Sequence, residues 1–375
     1  MINENIKKRT FFLPLFFIFF IFLIFTIINE VSASDMGTIT VNTTGVIKLD
    51  NKNVSNFVIA KTYSYKKNHK KTNIKTKKGN KNYTYVTKYL LPIKWKNGGK
   101  NVKTEYWYNC QSFVISGKYI YVLTSSGYGN NKGFIIRYDS KLLDKLKLSS
   151  SKGLKDLRIL GNSLENGKKL SKRQKSILKA LKIGPIINVG HGQSLCINPK
   201  DKHLYLLQGN SNHTSTRIKM VKINMQTFKP LKTFEFRVKL KNKLLNKVKN
   251  LAFDKKGNFY FNIKNNNGTS SFIFKGSFIE EKLEIKLVLK LFQNPGTYIQ
   301  GIAINHKLNK FYIFSDGAIY AIPLIKLYKR NLKISDFEWS IFNTKREFQG
   351  LSFDNFGRSY LLLIRGSEIL KSTSI

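Results

Sequence analysis

IQGIAINHKLNKFYIF, residues 299–314, runs from a Gln through alternating apolar positions to Asn305, turns, and resumes as an aromatic-rich strand. The phrase recurs. FQGLSFDNFGRSYLLL (348–363), GQSLCINPKDKHLYLL (192–207), KNLAFDKKGNFYFN (249–262) and CQSFVISGKYIYVL (110–123) share its plan. Gln111, Gln193, Gln300 and Gln349 occupy one position of the repeat, and Lys249 takes it in the remaining copy. Between these marks the steps are 82, 56, 51 and 49 residues. A period near 50 built from short alternating runs signals radial β-architecture, in which each small sheet covers its apolar face against the next.

The last copy stops after three strands, so a closed ring must borrow its fourth strand from the N-terminal side. YTYVTKYLLPI, residues 83–93, is the candidate. The expectation is an all-β chain: a five-bladed β-propeller over 83–375, closed by an N-terminal strand and carrying a small helical insertion at 140–184.

That insertion holds 13 Lys+Arg against three acids. LSKRQKSILKALKIGP within it reads as a helix with Leu170, Ile177, Leu178 and Leu181 on one face. The face either packs on a blade or lets 170–182 touch a membrane surface. Residues 34–82 form a Lys/Asn-rich region expected to be partly disordered, with KKNHKKTNIKTKKGNKN (66–82) as a mobile loop.

Ahead of it, Lys7, Lys8 and Arg9 precede the apolar run 11–28, and Val31-Ser32-Ala33 fits a signal cleavage site. Residues 1–33 are therefore expected to be an export signal, or an uncleaved anchor. The expected location is extracellular or at the cell surface.

Lys+Arg number 66 and Asp+Glu 21, a net charge of +45. Such a surface concentrates polyanions through forces that salt screens. Lys66, Lys67, Lys70, Lys71, Lys77 and Lys78 are the candidate polyanion-binding residues, with anionic wall polymers (teichoic acid-like) or surface glycans as the expected partners. Export argues against nucleic acid. Cys110 and Cys196, the only cysteines, read as buried free thiols.

The recurrent Gln residues would line a central channel, bonding between blades or meeting sugar hydroxyls. Two positions earlier stand Asn109, His191, Lys247, Tyr298 and Glu347. The candidate ligand site at the channel mouth is thus Gln111, His191, Gln193, Tyr298, Gln300, Glu347 and Gln349. His191 and Glu347 could form an acid–base pair there, but glycoside cleavage ordinarily needs two carboxylates, and neither Glu347 nor Glu105 has an evident partner. Asp254 and Asp354 read as turn residues. No metal-ligand spacing, phosphate loop or nucleophile elbow occurs. No catalytic residue, metal or cofactor is assigned, and the chain is expected not to be an enzyme.

SGKYIYVL, GHGQSLCINPKDKHLYLL, NLAFDKKGNFY, SDGAIYAIPL and FNTKREFQGLSFDNFGRSYLLL together resemble the helveticin J-like secreted proteins of lactobacilli, a bacteriocin family. The resemblance covers roughly residues 105–375. It implies a secreted propeller and the killing of related bacteria, and it carries no catalytic residues.

Overall fold

The computed structural model describes residues 32–375, apart from 60–62, 94, 98–104, 108, 126–130, 209–214, 247, 249, 265–268 and 281. Of the expected export signal at 1–33, residues 1–31 lie outside the described residues, as does Lys247. Ala33–Ile375 forms one compact unit, and it is all-β apart from four short helices and one 3-10 turn among the described residues.

Each repeat builds an antiparallel meander. The first holds strands Asn109–Ser116, Tyr119–Ser125, Lys132–Asp139 and Leu181–Ile183. The second runs through Cys196–Asn198, His203–Gln208, Arg217–Ile223 and Pro230–Leu240. Ala252–Phe253, Phe259–Lys264, Ser271–Ile279 and Lys282–Leu291 make the third. Ile299–Asn305, Lys310–Ser315, Ala318–Pro323 and Glu338–Phe342 make the fourth. The last copy supplies Phe348–Phe353, Ser359–Leu363 and Glu368–Ser372, and the last of these pairs with Thr84–Leu90, Ile369 opposite Tyr89.

The first strands neighbour one another in cyclic order, Phe348–Phe353 lying beside both Ile299–Asn305 and Asn109–Ser116. The five apolar clusters follow the same order. One joins the first and second units, and the next three join second to third, third to fourth and fourth to fifth. The remaining one returns from the fifth unit to the first. A strand covered on both faces shows no alternation of burial, and all seven residues of Ile299–Asn305 are buried, its polar Gln300 and Asn305 included. The solvated Lys282–Leu291 alternates instead, with Leu283, Ile285 and Leu287 buried and Lys282, Glu284 and Lys286 exposed.

The repeat's Asn/Asp position is a turn device. Asp254 Oδ1 accepts from the backbone N–H of Lys256 (2.8 Å) and Asn258 (3.0 Å). Asp354 does the same for Phe356 and Arg358, and Asn305 for Lys307 and Leu308. In each copy the chain then passes through one left-handed residue: Gly117, Lys202, Gly257, Asn309 or Gly357. The Asx turn and that residue together reverse the first strand into the second.

Two expectations are corrected. Residues 66–82 are not a loop throughout, because Asn73–Gly79 pairs with Glu338–Phe342 on one side and Thr84–Leu90 on the other. This pairing fuses the fourth and fifth units into one nine-stranded sheet. Farther upstream, Ser32–Thr40 flanks Pro230–Leu240, and Ile47–Leu49 lies parallel to Leu289–Leu291. The N-terminal segment is thus a strap that passes along the outer strands of one unit after another. Burial decides which part anchors it. Tyr85, Tyr89 and Leu90 are fully buried, worth roughly 5–9 kcal/mol at ~1.5–3 each, whereas Asn73–Gly79 buries only Ile74.

The helix expected over 170–182 is shorter. Lys172–Leu178 is helical, opened by a capping box between Ser171 and Gln174. Leu181–Ile183 then leaves the helix, because pairing with Ile136–Tyr138 completes the first unit. Ser140–Lys145 and Asp156–Glu165 are the other helices of the insertion. Ile177 is fully buried, and Leu170, Leu178 and Leu181 pack with it on the first unit's core. Among the described residues no helix is long and apolar enough to cross a membrane.

Candidate functional site

Gln111, Gln300 and Gln349 stand at the start of first strands and Gln193 three residues ahead of one, so they gather at one end of the cyclic array. Gln111, Gln300 and Gln349 are buried, and Gln193 is half-buried. The Gln193 amide donates to Gln300 Oε1 at 3.0 Å, and Gln111 packs where Gly192 leaves room for it. Inter-unit bonding is therefore part of their role, but it leaves the ring unsatisfied. The carboxamide oxygens of Gln111, Gln193 and Gln349 are buried without a hydrogen-bond partner. A buried acceptor left unpaired costs about 1–3 kcal/mol, so groups of this kind mark a place where a donor belongs.

The second hairpin of each unit returns to this same end. Ser315 pairs with Ile299, which sets the following Asp316 against Gln300. The Gln300 amide donates to both Asp316 oxygens at 3.3 Å, and the backbone N–H of Phe348 donates to Oδ1 at 3.0 Å. Tyr63, from the N-terminal strap, donates its hydroxyl to Oδ2 at 2.5 Å. Burial raises the Asp316 carboxyl to about 6; those hydrogen bonds oppose the rise and the negative Glu347 adds to it. The same burial and the Asp316 charge push the Tyr63 hydroxyl well up.

In the fifth unit the corresponding hairpin supplies Arg365. Its Nε donates to Glu347 Oε2 at 2.6 Å, while Gln349 Nε2 donates to Oε1 at 3.2 Å. The Arg365 guanidinium lies 4.9 Å from the centre of the Tyr63 ring. Lys264 donates to the Thr297 carbonyl and sits 5.6 Å from the centre of the Tyr298 ring. Burial lowers the Lys264 ammonium, and Asp316 opposes that fall. Tyr298 is 55% exposed. The hairpins of the other three units, 126–130, 209–214 and 265–268, lie outside the described residues, as does Lys249.

The structure thus brings Gln111, Gln193, Gln300, Gln349 and Glu347 to the same end of the cyclic array, where Tyr298 is exposed. Asp316, Tyr63, Lys264 and Arg365 join it as residues that the repeat pattern does not single out. Glu347 is engaged by Arg365 and Gln349, and the second carboxyl that no sequence spacing supplies is Asp316. His191 is half-buried beside Gly192. The side chains of Asn109 and Glu105 lie outside the described residues. No group of three or more His, Cys, Asp or Glu placed to hold a metal occurs among the described residues.

The six candidate lysines lie elsewhere, on the strap. Lys67, Lys70, Lys71, Lys77 and Lys78 are exposed. Lys66 is half-buried, and desolvation lowers its ammonium. Cys110 and Cys196 are free and buried, and burial raises both thiols. Cys110 faces Thr124 Oγ1 at 3.8 Å, and Cys196 faces the Tyr205 carbonyl at 3.7 Å.

No family model and no curated protein matches the chain. Similar solved structures are of propeller-type proteins. A glucose dehydrogenase aligns at TM-score 0.40 and 10% identity, over 78% of this chain and 92% of its own. An exo-β-1,3-galactanase from Clostridium thermocellum aligns at TM-score 0.44 and 10% identity, over 76% of this chain and 62% of its own. A streptogramin B lyase aligns at TM-score 0.34 and 9% identity, over 78% and 89%. The expectation that the chain is not an enzyme is corrected on this ground and is not retained: these neighbours are enzymes by name. At such identities the likeness is one of fold, and none of their substrates passes to this chain.

Proposed function

We propose that this chain is an exported five-bladed propeller, closed by residues 84–90, that binds glycans and anionic polymers of a bacterial envelope. The cyclic order of first strands and of apolar clusters supports the ring. One observation carries the ligand class: three buried carboxamide oxygens, of Gln111, Gln193 and Gln349, have no donor, beside two carboxylates and an exposed tyrosine. Sugar hydroxyls supply such donors, and a sugar face stacks on an aromatic ring such as Tyr298. The net charge of +45 holds the protein near anionic surfaces in a salt-dependent way.

The test is retention of the mature protein on washed Gram-positive cells and on purified wall glycans. Tyr298→Ala is expected to weaken glycan binding at least tenfold with the melting temperature nearly unchanged, and Gln300→Ala to weaken it as much while lowering the melting temperature, because Gln193 and Asp316 lose a buried partner. Undiminished binding by both variants removes the mouth as the site. Scoring survival of the same cells tests the killing activity that the helveticin J-like resemblance implies.

A second reading, cleavage of the bound glycan, is favoured by the two carboxyl groups at the mouth. Asp316 keeps its proton up to about pH 6, while Glu347 is paired with Arg365. Glycoside cleavage uses a pair of carboxyl groups, one of which gives up its proton to the leaving group, and the raised Asp316 suits that part. New reducing ends, lost in Asp316→Asn and Glu347→Gln, would support it. Absence of new ends from every glycan that the wild type binds rejects it.

A further inference from the structure

The first strands end, opposite the glutamine mouth, in three adjoining hollows. The first, about 410 Å³, carries Lys202, Lys255 and Lys307 over an apolar floor of strand residues. It shares Asp354 and Asn355 with a second of about 480 Å³, bordered by Lys118, Lys141 and Phe356. The second shares Lys88, Arg358 and Lys371 with a third of about 350 Å³, which reaches Lys71. The first hollow is ringed by residues of all five first strands, and the other two carry it outward between the first and fifth units, making one connected seam.

Nine cations border the three hollows, and the carboxylates among their lining residues are Asp144 and Asp354. Both carboxylates are occupied. Asp144 takes Lys88 at 2.6 Å, and Asp354 takes Arg358 at 2.9 Å while capping its own turn. Lys71, Lys141, Lys202, Lys255, Lys307 and Lys371 form no ion pair among the described residues. The crowding is felt: desolvation, then Arg358 and Lys88, lower the Lys371 ammonium. Lys371 lies 5.6 Å from the Tyr360 ring centre, and Arg358 lies 5.0 Å from that of Phe356. Aromatic faces hold these cations in place without neutralising them.

Cations strung along connected hollows, rather than converging on one point, match repeated charges on a chain. We propose that the seam is a track for a linear phosphodiester polymer of the polyol-phosphate kind. Bases on the polymer would find little to stack on, since among the described residues lining the seam Phe356, at 65% exposed, is the one strongly exposed aromatic, and single-stranded nucleic acid is ordinarily held by successive aromatic platforms. Lysines suit the backbone charge without demanding one geometry. The inference rests on the envelope-polymer reading and assigns it a place: the seam, which takes in Lys71, and not the other candidate lysines of the strap.

The probe is poly(glycerol phosphate), titrated by calorimetry over a salt series. Lys141→Glu/Lys307→Glu in the seam and Lys77→Glu/Lys78→Glu on the strap each change the net charge by the same amount. The seam variant is expected to bind at least tenfold more weakly at low salt, with the log–log salt slope reduced by about two, one for each phosphate no longer neutralised. The strap variant should lose less than threefold. A second seam variant, Lys202→Glu/Lys371→Glu, guards against a folding defect in the first, and melting curves accompany all of them. Equal losses in seam and strap variants, or an unimpaired seam variant, overturn the track while the envelope reading stands. No binding by the wild type overturns the envelope reading and the track with it. Tighter binding of single-stranded DNA of equal charge overturns the choice of polymer.

Discussion

Tyr63 donates a 2.5 Å hydrogen bond to Asp316 across 253 positions of sequence. The bond ties the strap, which runs outside the sheets, to a hairpin at the end of the ring where the glutamines gather. Gln300 and the backbone of Phe348 hold the same carboxylate, so one side chain joins the fourth unit, the fifth unit and the strap.

The Asp316 carboxyl gives the first prediction. Its value is raised from 3.8 to about 6 by burial, so the folded chain holds this proton more tightly than the unfolded one. The stability tied to the neutral form is fully present below about pH 3.8 and is lost as the pH rises through about 6. The difference is on the order of 3 kcal/mol. Asp316→Asn should flatten this part of the profile in melts taken between pH 4 and pH 7. An unchanged wild-type fall in the variant would assign it to other groups.

Glu368 is fully buried and accepts from Thr72 (3.0 Å) and Thr87 (2.9 Å). Arg346 Nη1 stands 3.3 Å from it, within ion-pair reach, although that atom makes no hydrogen bond. Glu368→Gln leaves Arg346 buried without a counter-charge, and nearby Arg158 loses the same support. The expected cost is about 3–5 kcal/mol by denaturant unfolding. Lys88→Ala removes a more exposed pair and should cost about 0–1 kcal/mol. Similar costs for the two variants would contradict a buried clamp.

Truncation separates the parts of the strap. A chain beginning at Asn51 loses two outer strands and is expected to remain monomeric, with a lower melting temperature. A chain beginning at Leu91 loses Tyr85, Tyr89 and Leu90 from the core and bares the edge of Glu368–Ser372. It should aggregate. Size-exclusion chromatography with circular dichroism checks both, and a cooperative monomer lacking 84–90 would refute closure by that strand.

Both thiols should resist a thiol reagent in the native protein and react fully after denaturation, because each is buried and harder to ionise than usual. A reductant should leave the melting temperature where it was.

The repeat is legible in the sequence because its parts obey local rules. Asn305, Asp254 and Asp354 cap their turns, aromatic strands follow, and the closing strand YTYVTKY alternates cleanly. Asp316 is visible there as a hairpin residue but not as part of a site. The direction of its strands gives it away, since a second hairpin must return to the end from which the Gln-bearing strand departs, and Arg365 follows by the same rule. Asn73–Gly79 is hidden for another reason: a lysine-rich strand with one buried residue, Ile74, is held between its neighbour Thr84–Leu90 and Glu338–Phe342, far away in sequence. The apolar spacing extends helix Lys172–Leu178 too far toward its C-terminus because a neighbouring sheet edge claims Leu181–Ile183.

The early pairing partner of the final strand has a kinetic corollary. Thr84–Leu90 leaves the ribosome long before Glu368–Ser372 exists, so no intermediate length of nascent chain can seal the circle. High contact order of this kind slows folding and prolongs the exposure of unpaired strands. The lysines along the waiting segment keep it soluble by mutual repulsion until its counterpart arrives. Pairing of Thr84–Leu90 therefore waits for Glu368–Ser372.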